Sequence, residues 1–72
     1  MKLNNGIIGK KYTVSGMSLP LAAKRRLEVL GLTNGTVVEV MNNKSGGTMV
    51  IKIRGTSFAL GKKMTEAIEV TD

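Results

Sequence analysis

Catalysis, metal capture and phosphate binding each require particular side chains, and this chain of 72 residues carries few of them. It has no histidine and no cysteine. Ser15, Ser18, Ser45 and Ser57 therefore lack an imidazole to take a proton, and the lysines sit in polar, turn-rich stretches rather than in the buried settings that make a lysine a base. The carboxylates are Glu28, Glu39, Glu66, Glu69 and Asp72. Glu66 and Glu69, three apart, could meet on a helical turn, but two carboxylates alone make a poor transition-metal site. Met17, Met41, Met49 and Met64 are soft ligands in principle, yet methionine more often fills gaps in a core, and they are assigned there. The residue types exclude an ordinary active site. Neither an enzyme, a resident cofactor nor a metal centre is expected.

Two weaker signals concern anions. The stretch "GIIGKKYT" (Gly6 to Thr13) has the glycines and lysine of a phosphate loop. It has only two residues between the glycines, no hydroxyl after the lysine and no room for a preceding strand, so a nucleotide site there is not expected. The net charge of +6 points to an acidic partner such as nucleic acid or anionic lipid, or else to scattered surface cations kept for solubility. Nucleic acid is one such partner, but single-strand binding barrels stack bases on aromatic platforms, and Tyr12 and Phe58 are the only aromatics. A phosphate-only mode through Lys24, Arg25, Lys62 and Lys63 is the alternative such a basic surface leaves open.

Positioning these charges falls to a single small domain, residues 1–72. With no disulfide or zinc staple, it must fold on aliphatic residues alone. No apolar run approaches membrane-spanning length and the first residues lack a signal-like apolar segment, so a cytoplasmic protein without membrane insertion is expected. Lys11 to Met17 reads as a first strand with Tyr12 and Val14 on one face. Ser18 reads as an N-cap with Pro20 in the first helical turn. Leu19, Ala22, Ala23, Leu27 and Leu30 then fall on one helical stripe, with Leu21, Lys24 and Glu28 facing away. Gly31 sits where a left-handed C-cap ends the helix, and Leu32 can close it with an apolar contact.

The remainder alternates with period two. A hairpin centred on Ser45 and Gly46 pairs Val40 with Ile51 and Val38 with Ile53, and sets Glu39 opposite Lys52. A second hairpin at Arg54-Gly55 pairs Ile51 with Phe58, read as the largest apolar contact, and Met49 with Leu60. Because Arg-Gly is a poor two-residue turn, a glycine bulge is expected there. "GKKMTEA" reads as one helical turn and Ile68 to Val70 as a closing strand. The result is a mainly β fold with one short helix, a small barrel of about five strands whose closure protects its edges.

With "RRLEVLGL" (Arg25 to Leu32), "GTVVEV" (Gly35 to Val40), "IRG" (Ile53 to Gly55), "FAL" (Phe58 to Leu60) and "IEV" (Ile68 to Val70) in place, the chain resembles the ferrous iron transport protein A (FeoA) family over nearly its whole length. It differs in having Asn34 where the family commonly has proline, and a polar "NNKSGG" where the family often has a longer apolar loop. The resemblance implies an SH3-like barrel. It also implies a cytoplasmic accessory module acting on a membrane ferrous iron transporter with a cytosolic GTPase domain, which would recruit it to the inner face of the membrane. A similar domain ends some iron-dependent repressors, so a detached regulatory or nucleic-acid-binding barrel is the competing class. The partner-binding candidates are Lys24, Arg25 and Arg26. Lys24 and Arg25 lie off the apolar stripe, where docking and plain solvation fit equally, and Arg26 at its edge is read as structural, its stem packed and its guanidinium reaching a carbonyl or acid.

Overall fold

The computed structural model describes residues 1–43 and 47–72. The period-two segments form an antiparallel sheet in the order β4-β3-β2-β1-β5, from β1 (Lys11–Met17), β2 (Val37–Asn43), β3 (Met49–Ile53), β4 (Thr56–Leu60) and β5 (Ile68–Thr71). Helix α1 (Leu21–Val29) joins β1 to β2, and a single turn, α2 (Lys62–Glu66), joins β4 to β5. One face of the curled sheet encloses Val14, Val38, Val40, Met49, Ile51, Leu60, Ile68 and Val70. Strand alternation makes that face, since every second residue of β3 and β5 is buried.

The register between the central strands follows the apolar alternation. Glu39 opposes Lys52 and Val40 opposes Ile51, after which a bulge between Val40 and Asn42 shifts the pairing by one residue. Met41 follows Val40 onto the outer face and is exposed, so of the four methionines assigned to the core only Met49 is buried, with Met17 and Met64 packed at its margin. The proposed hairpin centre at Ser45 and Gly46 lies outside the described residues. Glu39 and Lys52 face each other across the ladder but come no closer than the 4 Å of an ion pair, among the described residues.

The second hairpin is regular. Ile53 pairs with Thr56 and the register runs unshifted to Met49 with Leu60. Arg54 and Gly55 both take positive φ, 50° and 85°, which is the twist of a primed two-residue turn. The expected glycine bulge is therefore absent, because Arg54 accepts a left-handed conformation that arginine seldom adopts. Phe58 opposes Ile51 as expected but is only half-buried. The largest enclosed side chain is Tyr12, whose hydroxyl accepts a hydrogen bond from the Ile7 amide at 2.9 Å.

Two further expectations are corrected. The helix starts at Leu21, with Pro20 rather than Ser18 at the N-cap and no side-chain cap. The ring's φ of −57° suits that place, where its lack of an amide hydrogen leaves no donor unsatisfied, and the Pro20 carbonyl receives the Lys24 amide at 3.0 Å. The sheet also does not close on itself, since β4 and β5 end it without pairing. The β5 edge is sealed instead by the chain's first residues. Val70 donates to the Met1 carbonyl at 2.8 Å and accepts from the Met1 ammonium at 3.0 Å, and Lys2 bridges Glu69. Leu3, in a 3₁₀ turn over Leu3–Asn5, drops fully buried into the core.

Candidate interaction surface

Helix α1 is held at its end rather than along its length. After Leu30, Gly31 takes φ +93°, and the chain closes with two bonds: the Leu32 amide to the Leu27 carbonyl at 2.8 Å and the Gly31 amide to the Glu28 carbonyl at 2.9 Å. This is the paired-bond Schellman arrangement, with Leu27 and Leu32 both buried as its apolar contact. Thr36 reinforces the exit by donating its hydroxyl to the Gly31 carbonyl at 3.0 Å and accepting from the Thr33 amide at 3.1 Å.

Along the helix itself, Leu27 is the one buried side chain. Of the expected stripe, Leu19 and Ala23 are half-buried, while Ala22 and Leu30 are exposed. The outward face is the informative one. Leu21, Arg25 and Val29 form a row at four-residue spacing, with Leu21 62% and Val29 88% exposed. Arg26 stands in the neighbouring row beside Ala22, also exposed. Arg26 makes no hydrogen bond or ion pair among the described residues, so the stem-packed, carbonyl-bound arrangement expected of it is not formed. Lys24, expected to point away, is instead half-buried, lining a shallow groove of about 520 Å³ with Gly16, Met17, Glu28, Thr33 and Asn34. The structure thus brings Arg25 and Arg26 onto one free face and places Lys24 beside it.

Charge is distributed unevenly. The ion pairs among the described residues gather around the chain ends and α2: the Met1 ammonium and Lys2 with Glu69 at 3.6 and 3.7 Å, Lys10 with Asp72 at 3.1 Å, and Lys62 with Glu66 at 3.9 Å. The cations of α1 have no such partners there. A second shallow groove, about 460 Å³, crosses the outer face of the sheet and is lined by Lys11, Val37, Glu39, Lys52 and Arg54. Neither groove brings a nucleophile to a base. Glu66 and Glu69 face different cations, and no three acids converge among the described residues. What this arrangement can do is present cations around exposed apolar side chains, which is recognition chemistry. Sequence periodicity alone underrated Leu21, Val29 and Leu30. The signal available was that these large apolar residues fall beside arginines on a nine-residue helix.

A curled five-stranded antiparallel sheet with one helix between its first two strands defines a small SH3-like barrel. The chain matches the FeoA domain over residues 1–72 and belongs to that family. No curated protein matches it. Among solved structures it is similar to an iron uptake regulatory protein, FeoA, at 27% identity and a TM-score of 0.90, covering 99% of this chain and 95% of that one. It is similar also to the FeoA protein of Chlorobium tepidum, at 26% identity and a TM-score of 0.89, covering 99% of this chain and 69% of that one. A manganese-dependent transcriptional repressor shares the fold at 20% identity and a TM-score of 0.90, this chain spanning 41% of its length.

Proposed function

We propose that the protein is a non-catalytic, cytoplasmic accessory module of a ferrous iron uptake system. It acts by docking on an acidic cytosolic surface of the membrane transporter, the portion that carries a GTPase domain. Family membership supports the iron system. The observation that carries the docking mode is the outward face of α1, where Leu21 and Val29 stand in solvent on either side of Arg25, with Arg26 in the neighbouring row. Exposed apolar side chains beside cations that have no ion pair among the described residues suit an acidic, partly apolar protein surface, the cations setting association rate and the apolar pair the residence time. Lys24 belongs to the rim of this face. No helix among the described residues is long and apolar enough to cross a membrane, so recruitment to one through a partner is consistent with the fold.

Surface plasmon resonance against the transporter's cytosolic portion tests this reading. The double variant Arg25→Glu/Arg26→Glu should melt with the parent and associate roughly tenfold more slowly at low salt, the difference shrinking as salt screens the field. Unchanged association would remove the helix from the interface. RNA and duplex DNA run in parallel keep the competing class in view, because salt-sensitive binding to them alone would make the protein a nucleic-acid module.

A further inference from the structure

Strand β4 is the open end of the sheet, and among the described residues nothing disguises it. The opposite edge is covered by Met1 and Lys2, but no backbone group of Thr56–Leu60 bonds to anything other than β3 among the described residues. The primed turn makes Ile53 and Thr56 the bonded pair that closes the hairpin. Alternation along an unshifted register then directs the amide and carbonyl of Ser57 and Ala59 away from β3. Natural edges are usually blunted by an inward charge, a proline or a bulge. The run "TSFAL" has no charge and no proline, and its ladder has no bulge. Ser57 and Ala59 are small and exposed, and Phe58 leaves part of its ring accessible beside them.

Cations bracket this bare strand. Arg54 sits in the turn before it, and Lys62 and Lys63 follow it, all exposed. Lys62 has Glu66 at 3.9 Å, whereas Arg54 and Lys63 have no ion pair among the described residues. We propose that β4 is a strand-addition site for an extended, uncharged β-forming segment of a partner protein that carries carboxylates at both of its ends. Main-chain bonds to Ser57 and Ala59 would supply affinity, and the flanking carboxylates would meet Arg54 at one end and Lys62 and Lys63 at the other. The charges also argue against a second copy as occupant. Antiparallel self-pairing about Phe58 would set Arg54 of each copy against Lys62 of the other, and parallel pairing would set like against like. An acid-flanked segment converts each of those repulsions into an attraction. This site lies on a different element from the α1 face and stands without it.

The test titrates isotope-labelled protein with a synthetic peptide of about ten residues, alternating valine and threonine between paired glutamates. A counterpart has lysines at the ends. The acidic peptide should shift amide resonances from Arg54 to Lys63, slow hydrogen exchange at Ser57 and Ala59, and bind about tenfold or more tightly than the lysine version at low salt. Ala59→Pro removes an outward donor without touching the bonds to β3, and should weaken binding about tenfold. If that variant loses its folded spectrum, Arg54→Asn with Lys63→Gln carries the test. Asparagine suits the left-handed turn position, so this variant should melt no lower than the parent yet bind the acidic peptide severalfold more weakly. Three results would overturn the proposal: no shifts at about millimolar peptide, shifts confined to α1, or sedimentation showing a dimer whose contact protects β4.

Discussion

The N-terminal segment and helix α1 are the two substantial pieces outside the sheet with a free choice of how to attach, and they attach in opposite ways. Residues Met1 to Asn5 contain only a 3₁₀ turn, yet they bury Leu3 completely, exchange two backbone bonds with Val70 and place two cations on Glu69. The nine-residue helix buries Leu27 alone and turns Leu21 and Val29 to solvent. Regularity of backbone is thus no measure of attachment. The irregular segment completes the core and covers an edge. The regular one is fastened at its C-terminus by Gly31 and Leu32, and its outer side chains are left available. A helix needs tertiary packing when it is this short, so an anchoring contact that leaves most of the surface unspent is consistent with a surface kept for binding.

Substitutions that attack each attachment sharpen the contrast, and the largest effect belongs to the irregular piece. Leu3→Ala empties a fully enclosed site and should cost about 2–5 kcal/mol. For a domain of this size that lowers Tm by about ten degrees or more in a calorimetric melt. A loss of only a degree or two would mean that the segment is a passenger and the contrast is false. Gly31→Ala comes next, because φ +93° forces alanine into a left-handed conformation costing about 1–2 kcal/mol. Hydrogen exchange should show α1 amides opening more readily while strand amides keep nearly their usual rank, the signature of a helix secured at one end. Uniform acceleration across the sheet would instead make α1 part of the core unit. The smallest effect is expected at Val29→Ser, where an 88% exposed side chain contributes within about 0.5 kcal/mol of nothing to stability. If α1 docks on a transporter as proposed, the same variant should shorten residence on its cytosolic portion, so a change in Tm without a change in dissociation rate would reverse the assignment of the two pieces.

Much of the sheet was legible because period-two alternation reports a physical constraint, burial of one face. Val38, Val40, Met49, Ile51 and Leu60 all lie on the side that the alternation assigns. The helix exit was equally legible, since Gly31 followed by an aliphatic residue has few other uses. The N-terminal segment was not. "MKLNN" shows no periodicity, and its partners lie nearly seventy positions away, beyond any local pattern. The helix start was misplaced because Ser18 and Pro20 both fit entry positions, and only the observed backbone shows Pro20 outside the first turn. At the candidate surface, the exposure of Arg25 followed from periodicity, whereas that of Arg26 depended on how shallowly the helix sits. The bare edge of β4 needed the strand order, which no stretch of sequence carries by itself.

That strand order also has a consequence for synthesis. Strands β2, β3 and β4 form a meander that can assemble as soon as it leaves the ribosome, at elongation rates of about 5–20 residues per second. Strand β1 and the residues before it are made first, yet they cannot be completed until Ile68–Thr71 emerge to pair with them. For most of the time the chain is being made, Leu3 and Val14 have no enclosed place to go. Until Ile68–Thr71 pair with β1, the chain therefore displays the β1 edge as well as the β4 edge and leaves Leu3 unburied, features that chaperones recognise; that pairing covers the β1 edge and Leu3 together and leaves β4 as the edge that stays open.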